Sequence, residues 1–161
     1  MTIKTGERIP SSSFHTMTSD GPAKITTEEL FDGKKVILVA VPGAFTPTCH
    51  ASHLPGFVEN ADAIKERGVD TIAITSVNDV HVMGAWEKAS GAAGKIVFLA
   101  DGNGEFAKSV GLDIDLGVAG MGVRSKRYAM IVNNGIVEYV SADEAPGQVV
   151  ESSAARILEL L

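Results

Sequence analysis

The feature that most constrains the fold is an unbroken apolar run at residues 36–41, Val-Ile-Leu-Val-Ala-Val, which ends at Pro42 and Gly43. Because every side chain in the run is apolar, a strand formed by it must be covered on both faces, as strands of parallel sheets are. Residues 69–75 and 96–100 show two further strand patterns, each preceded by a helical pattern. Strands that alternate with helices predict an α/β fold built from parallel β-α-β units.

The remaining patterns predict two hairpins and five helices. Residues 13–17 and 23–25 alternate polar and apolar side chains around a turn, which predicts an edge hairpin. The Asn-Gly turn at residues 134–135 predicts a second hairpin, formed by residues 127–132 and 136–140. The predicted helices are a short one with a Thr26/Glu29 capping box that stops at Gly33, residues 57–67, a helix capped by Asp79 that runs to about residue 90, residues 104–110, and an amphipathic helix at residues 149–161.

This order of elements predicts a mixed central sheet flanked by helices, which is the order of a thioredoxin-like fold. The chain has 161 residues, of which 45% are hydrophobic and 21% are charged, as in ordinary globular proteins. We find no internal repeat, low-complexity tract or linker, so the sequence predicts a single domain over residues 1–161.

Charge and hydropathy exclude two classes of partner. The formal net charge is −6, and the basic residues form one local cluster, Arg124, Lys126 and Arg127, so we expect no nucleic-acid partner. The apolar run at residues 36–42 is far shorter than the roughly 20 residues that a membrane span needs. The first ten residues lack the apolar region of a signal peptide, and we predict a cytoplasmic protein with no membrane partner.

Cys49 is the only cysteine, so it forms no internal disulfide, and its presence indicates a reducing compartment. A lone cysteine is often a small buried side chain in a core. Here it ends the segment PGAFTPTC, where the chain is expected to turn from a strand into a helix. The free N–H groups and dipole of a helix N-terminus stabilise an anion, and the thiolate is the nucleophilic form of cysteine.

The same segment contains the spacing P-x-x-x-T-x-x-C and resembles the active-site signature of the peroxiredoxins. Further stretches, SHLPGFVENA, SVND, FLADGNGEFAK and RSKRYAMIVNNG, are similar to the type II peroxiredoxins of plants and bacteria, so the resemblance covers nearly the whole chain. It implies a thioredoxin-like fold and a thiol-dependent peroxidase that reduces hydrogen peroxide and organic hydroperoxides. The resemblance implies no metal and no organic cofactor.

The resemblance also implies roles for four residues. Cys49 corresponds to the peroxidatic nucleophile, Thr46 to the hydroxyl that contacts peroxide and thiolate, and Pro42 to a shield over the pocket. Arg127 corresponds to an arginine that stabilises both the thiolate and the bound peroxide. Further substrate contacts are expected from Thr48, Phe45, Gly43 and Met121.

Peroxide attack leaves a cysteine as a sulfenic acid, which must be returned to a thiol. Relatives carry a second, resolving cysteine near the last helix, but Glu151 or its neighbours stand there in this chain. The resemblance therefore implies an external thiol, namely glutathione with glutaredoxin, a thioredoxin or another small thiol. It also implies a homodimer through the surface that carries the cysteine, with Phe45, Trp86 and the loop after Asp79 as interface candidates.

Other interpretations of these residues remain open at this point. The main alternative is a redox-sensing or chaperone-like interaction protein that is switched by oxidation of Cys49, and a thioredoxin-type oxidoreductase is weakened because C-x-x-C is missing. His50 and His53 lie beside the cysteine, but we expect neither proton transfer nor metal binding from them. We expect packing or hydrogen bonding of His53 near the pocket, and surface positions for Arg124 and Lys126.

Overall fold

The computed structural model describes residues 1–145 and 147–161. Its main sheet contains seven strands, and a separate small sheet contains two. The strands are β1 (Ser13–Thr18), β2 (Gly21–Thr26), β3 (Lys35–Ala40), β4 (Thr71–Ser76), β5 (Val97–Ala100), β6 (Asp113–Asp115), β7 (Val123–Ser125), β8 (Tyr128–Asn133) and β9 (Ile136–Ala142). The helices are α1 (Thr27–Phe31), α2 (Leu54–Glu66), α3 (Val80–Ser90), α4 (Glu105–Ser109) and α5 (Ala154–Leu160).

The main sheet is mixed, with the strand order β2-β1-β5-β4-β3-β8-β9. The central strands β3, β4 and β5 are parallel, whereas β8 runs antiparallel to β3 and β9 antiparallel to β8. Helices α2, α3 and α5 cover one face, and α1 and α4 cover the other, so the apolar run of β3 is buried from both sides. The predicted α/β, thioredoxin-like fold with its mixed central sheet is confirmed.

Most predicted elements are present within a few residues of the expected bounds. The capping box of Thr26 and Glu29 forms at the start of α1, and Asp79 caps α3 by accepting bonds from the N–H groups of His81 and Val82. The first hairpin, β1–β2, lies at one edge of the sheet, as predicted. The pairing of β6 with β7 was not predicted, because three-residue strands leave almost no periodic pattern.

The prediction of a helix over residues 149–161 is wrong in its first part. Helix α5 begins at Ala154, with Ser153 as its N-cap, and the preceding residues form turns. The N–H groups of Val150 and Glu151 are instead bonded to the carboxylate of Asp143, at 2.9 and 2.7 Å. Local hydrophobic periodicity cannot reveal an acceptor that lies seven or eight residues upstream.

The register between β3 and β8 determines where the site forms. Ala40, the last residue of β3, lies opposite Tyr128, the first residue of β8. The chain that leaves β3 and the residue that precedes β8, Arg127, therefore meet at the same edge of the sheet. This edge is the carboxyl end of the parallel strands, where open α/β sheets place their ligands. In the part of the chain that is described, no helix is long and apolar enough to cross a membrane.

Candidate active site

Residues 41–48, which we call the cysteine loop, connect β3 to the helix that carries Cys49. The loop is held at three points: the Val41 N–H donates to the Thr75 carbonyl at 3.1 Å, the Ala44 N–H to Asn78 Oδ1 at 2.9 Å, and Thr46 Oγ1 to the Gly43 carbonyl at 2.7 Å. Because backbone and side-chain bonds fix the loop from both sides, the position of the helix start is defined.

The helix begins at residue 47 and continues into α2, but its early part is wound more widely than an α-helix. Cys49–His53 form a π-helical segment, in which the Leu54 N–H donates to the Cys49 carbonyl. Such segments are rare and often accompany functional sites. Cys49 lies at the start of a helix, as predicted, and its side chain is fully buried.

Arg127 contacts the cysteine directly. Its Nη2 donates to Cys49 Sγ at 2.9 Å, and the arginine is only 2% exposed. A guanidinium stays charged in proteins, and burying a charge is costly unless a counter-charge or hydrogen bonds compensate it. The contact places this fixed positive charge directly beside the sulfur.

The second terminal nitrogen of Arg127 contacts His53. Arg127 Nη1 lies 2.7 Å from His53 Nδ1, and His53 Nε2 lies 2.9 Å from the Ser152 carbonyl. Because a guanidinium only donates, Nδ1 must accept, and the ring proton is on Nε2, which donates to Ser152. Burial lowers the pKa of His53 to about 4, and the positive charge of Arg127 acts in the same direction. The imidazole is therefore neutral at neutral pH.

The Ser152 carbonyl belongs to residues 147–153, which we call the C-terminal segment. This segment is held by the buried carboxylate of Asp143, whose Oδ1 accepts from the Val150 and Glu151 N–H groups and whose Oδ2 accepts from the Ser152 hydroxyl. Tyr139 adds a bond from its hydroxyl to the Glu151 carbonyl at 3.1 Å. A chain of contacts thus connects Asp143 to the cysteine.

Two predicted pocket residues are tightly packed at the loop. Pro42 and Gly43 are buried, and a Cβ added at Gly43 would lie 3.0 Å from Thr46 Cγ2 and 3.3 Å from Met121 Cε. Thr46 and Met121 are half-buried. The structure therefore brings Pro42, Gly43, Thr46 and Met121 together around the cysteine loop, and their contacts with a substrate stay predictions.

Phe45 and Thr48 lie on the outer side of the same loop. Phe45 is 46% exposed and adopts a positive φ of 63°, which is uncommon for an aromatic residue, while Thr48 is half-buried. Phe45 stands 5.5 Å from the His50 ring, measured between ring centroids. The loop thus presents an aromatic side chain to the surface beside a buried sulfur.

Two expectations about neighbouring residues are corrected by the structure. Trp86 is wrong as an interface candidate, because it is fully buried, donates to His50 Nδ1 at 3.0 Å and packs edge-on against Phe98. Arg124 is not a simple surface charge: its Nε donates to the Met121 carbonyl at 2.8 Å and its Nη1 to the Val77 carbonyl at 3.2 Å. It fixes the stretch that carries Met121.

The expected hydrogen bonding of His53 near the pocket is confirmed, but its partners were missed. One signal was available, since Cys49 and His53 are four residues apart and a helix places such residues on the same face. Ser152 and Asp143 lie far away in sequence and left no local signal. Among the described residues, no group of three or more His, Cys, Asp or Glu side chains is arranged to hold a metal ion.

Comparisons with known proteins extend over nearly the whole chain. The model of the redoxin family matches residues 4–158. The chloroplastic peroxiredoxin-2E of Arabidopsis thaliana is 44% identical over 163 residues, which cover 99% of this chain and 69% of that protein. Peroxiredoxin-2C of Oryza sativa subsp. japonica is 41% identical and covers 99% of this chain and 98% of its own length. The crystal structure of reduced Prx3 from Vibrio vulnificus in complex with H₂O₂ is 46% identical, covers 98% of both chains and gives a TM-score of 0.93.

Proposed function

Because the chain belongs to the redoxin family, and within it to the type II peroxiredoxins, it is a thiol-dependent peroxidase, and we propose that Cys49 is the sulfur that attacks the peroxide. The observation that carries this proposal is the buried contact of 2.9 Å between Arg127 Nη2 and Cys49 Sγ. It pairs the only cysteine of the chain with a fixed positive charge, at the carboxyl end of the parallel strands.

In the proposed reaction, the Cys49 thiolate attacks one oxygen of a hydroperoxide and the O–O bond breaks. The sulfur keeps that oxygen as a sulfenic acid, while the departing hydroxide or alkoxide takes up a proton and leaves as water or an alcohol. The sulfur loses two electrons and the peroxide gains them, so the step requires no metal or organic cofactor. Stabilisation of the departing oxygen by fixed donors is then the main task of the protein.

Arg127 and Thr46 are placed to perform that task. Arg127 is a donor at the sulfur itself, so oxygens that approach the sulfur along the O–O axis come within reach of the same guanidinium. Thr46 must donate its hydroxyl hydrogen to the Gly43 carbonyl, since a carbonyl only accepts. The lone pairs of that hydroxyl are thereby directed away from Gly43 and can accept the O–H of a peroxide. Pro42, which is buried in the same loop, keeps water from the sulfur.

The return of the sulfenic acid to a thiol requires an external reductant, because the sequence contains no second cysteine. One thiol condenses with the sulfenic acid, releases water and forms a mixed disulfide, and a second thiol then frees Cys49. We propose glutathione with glutaredoxin, or a thioredoxin, as that reductant. Cys49 is fully buried, so the cysteine loop must open for a protein or peptide thiol to reach the sulfur.

We also propose a homodimer formed on the side of the cysteine loop. Phe45 is 46% exposed there, and Val118 and Val123, which flank the stretch containing Met121, are 107% and 44% exposed. A Cβ added at Gly43 would lie 3.3 Å from Met121 Cε, so the stretch that contains Met121 lies beside the cysteine loop. A cytoplasmic location stays a prediction from the sequence.

The peroxidase proposal is tested by the rate of oxidation of Cys49 by substoichiometric hydrogen peroxide in stopped flow. Trp86 is a suitable fluorescent reporter, because its indole N–H bonds to His50, the residue next to the cysteine. We expect no oxidation in Cys49→Ser and a loss of about 100- to 1,000-fold in Arg127→Ala, as for other fixed donors in active sites. Lys126→Ala, which removes an exposed neighbouring charge, is the control and should keep the wild-type rate.

A wild-type rate no faster than that of free cysteine would overturn the assignment of Cys49. Turnover then identifies the reductant: excess peroxide is supplied with glutathione and glutaredoxin in one arm, and with thioredoxin and its reductase in the other. Consumption of many equivalents in one arm identifies that reductant. Consumption of about one equivalent in every arm would instead support the redox-sensing alternative.

A further inference from the structure

Arg124 is a second arginine close to the cysteine loop, and its side chain has a fixed position. The residue lies at the centre of β7 and pairs with Ile114 of β6. Its Nε donates to the Met121 carbonyl at 2.8 Å, and its Nη1 donates to the Val77 carbonyl at 3.2 Å. Because a guanidinium is planar and rigid, two bonds to carbonyls from separate parts of the chain hold it in one orientation.

These two bonds use only part of what the guanidinium offers. A guanidinium has five N–H groups and no acceptor, and the Met121 and Val77 carbonyls take two of them. Within residues 1–145 and 147–161, the Arg124 side chain forms no ion pair and no other hydrogen bond. The side chain is only partly buried, so the other three N–H groups and the positive charge can bind a ligand.

The guanidinium lies beside the residue that is placed to receive the peroxide. A Cβ added at Gly43 would lie 3.0 Å from Thr46 Cγ2, 3.3 Å from Met121 Cε and 3.5 Å from Arg124 Nη1. The three side chains therefore converge on one point of the cysteine loop. Since the Thr46 hydroxyl can accept from a peroxide, the organic group of a bound hydroperoxide has Met121 and Arg124 as neighbours.

Met121 and Arg124 offer complementary chemistry to such a group. A thioether side chain is flexible and adapts to apolar groups of different shape. A guanidinium matches a carboxylate through two parallel hydrogen bonds. The formal net charge of the protein is −6, so this positive charge is a local exception to the overall charge. An apolar body that ends in a carboxylate therefore fits the pair better than a neutral alkyl group does.

We propose that Arg124 is a specificity-determining residue that binds the carboxylate of an organic hydroperoxide, while Met121 packs against the apolar part of the same molecule. This inference deepens the proposed function and rests on it, because it concerns the substrate of the same thiol. The chemistry at Cys49 is unchanged: the sulfur keeps one oxygen of the O–O bond, and the departing alkoxide takes up a proton and leaves as a hydroxy acid. Hydrogen peroxide has no organic group, so its reaction does not use Arg124.

The test compares two aromatic hydroperoxides that differ in one group, cumene hydroperoxide and its para-carboxylate. The measured quantity is the ratio of their second-order rates of Cys49 oxidation in stopped flow at neutral pH. Because both substrates react with the same thiol, changes in folding or in thiol reactivity cancel in this ratio. We expect the wild type to favour the carboxylate by about 10-fold, at the low end for a hydrogen bond to a charged group because Arg124 is partly exposed.

Three variants separate a local contact from a general effect of charge. In Arg124→Ala the ratio should fall to about one, and the rate with hydrogen peroxide measures separately what the lost bonds to Met121 and Val77 do to the site. Arg124→Lys keeps the charge but cannot form two parallel bonds, so it should keep a preference of about 2- to 5-fold. Lys126→Ala removes an exposed charge two residues later, and this control should keep the wild-type ratio.

A wild-type ratio no larger than one, or equal losses in Arg124→Ala and Lys126→Ala, would overturn the proposal. A second arm asks whether the carboxylate belongs to the reductant instead, by reducing oxidised Cys49 with thioglycolate or with 2-mercaptoethanol. A preference that depends on Arg124 only in this arm would also overturn it, whereas a loss confined to the peroxide arm supports it. Failure of the proposed function looks different, because the wild type would then react with every peroxide as slowly as a free thiol.

Discussion

The cysteine loop and the C-terminal segment both reach the Arg127 guanidinium, but they are built in opposite ways. The loop follows β3 directly, and its position follows from the register of the central sheet. The C-terminal segment has no regular structure and is held by side chains, chiefly by Asp143 and by the bond between His53 and Ser152. One region is fixed by the fold, and the other is fixed by a few polar contacts.

This difference has an energetic consequence. Strand β3 is held by its hydrogen bonds to β4 and β8 and by many apolar contacts. Because the stabilisation is spread over many contacts, no single side chain there determines the position of the loop. In the C-terminal segment, one carboxylate accepts three hydrogen bonds. Loss of that carboxylate leaves several donors without a partner, and an unpaired buried donor costs more than the bond itself contributed.

The largest effect is therefore expected from Asp143→Ala. Asp143 is 8% exposed, and its removal should lower the free energy of unfolding by about 3–4 kcal/mol, since bonds to a charged acceptor contribute about 1.5–3 kcal/mol each and are not additive. Urea unfolding measures the change. Glu144→Ala, which removes an exposed carboxylate one residue later, is the matched control and should change stability by less than about 0.5 kcal/mol.

Asp143→Ala also tests whether the two regions are coupled. The rate of Cys49 oxidation should fall in the folded variant, because Ser152 no longer holds His53 in place. Equal stability losses in Asp143→Ala and Glu144→Ala would mean that the C-terminal segment is fixed by other contacts. The proposed difference, a cysteine loop fixed by the sheet and a C-terminal segment fixed by one carboxylate, would then be wrong.

Acid should weaken the C-terminal side of the site before the sheet. The pKa of His53 is lowered from 6.5 to about 4 in the folded protein, so the unfolded chain binds the proton more readily between these two values. The stability that the neutral ring provides is complete above pH 6.5 and is lost as the pH falls towards 4. The loss amounts to about 3 kcal/mol, because one pKa unit corresponds to 1.36 kcal/mol.

The difference in unfolding free energy between the wild type and His53→Gln isolates this contribution. Buried Asp101, whose pKa is raised by burial, titrates in both proteins and cancels in the difference. We expect the difference to shrink as the pH falls from 6.5 to 4. A difference that stays constant over this range would show that His53 titrates normally, and that it is not held as a neutral acceptor.

Sequence alone predicted the region fixed by the sheet much better than the other region. The apolar run before Pro42 determined β3, and the helix start at Cys49 followed from the strand-to-helix change. Arg127 was assigned to the cysteine through the resemblance to the peroxiredoxins, and its side chain does contact the sulfur. Periodicity and turn signals describe local structure well, and the central sheet is assembled from local elements in a regular order.

The same reasoning failed at residues 149–153, where apolar periodicity favoured a helix. In the structure the Asp143 carboxylate bonds to the N–H groups of Val150 and Glu151, and the helix begins only after Ser153, whose side chain accepts from the Arg156 N–H. A pattern within the segment carries no information about such a partner. The role of Ser152 was missed for the same reason, because a backbone carbonyl is identical at every position of the sequence.

The smallest effects are expected from two glycines, one in the cysteine loop and one in helix α2. A methyl group at Gly43 would lie 3.0 Å from Thr46 Cγ2 and 3.3 Å from Met121 Cε, so Gly43→Ala should crowd the cysteine loop and destabilise by about 1–2 kcal/mol. At Gly56, in the first turn of α2, the added methyl group meets only the Ala154 Cβ of α5, at 3.9 Å. Gly56→Ala should therefore stabilise by about 0.5–1 kcal/mol through helix propensity.

Urea unfolding of both variants, together with the rate of Cys49 oxidation, measures the contrast. We expect Gly43→Ala to slow oxidation, because the crowded side chain is that of Thr46, and Gly56→Ala to leave the rate unchanged. A destabilising Gly43→Ala together with a stabilising Gly56→Ala would show that the cysteine loop cannot accommodate an added methyl group, whereas the contact between α2 and α5 can. A stabilising Gly43→Ala would mean that the flexible Met121 side chain moves aside, and that the sheet rather than close packing alone fixes the loop.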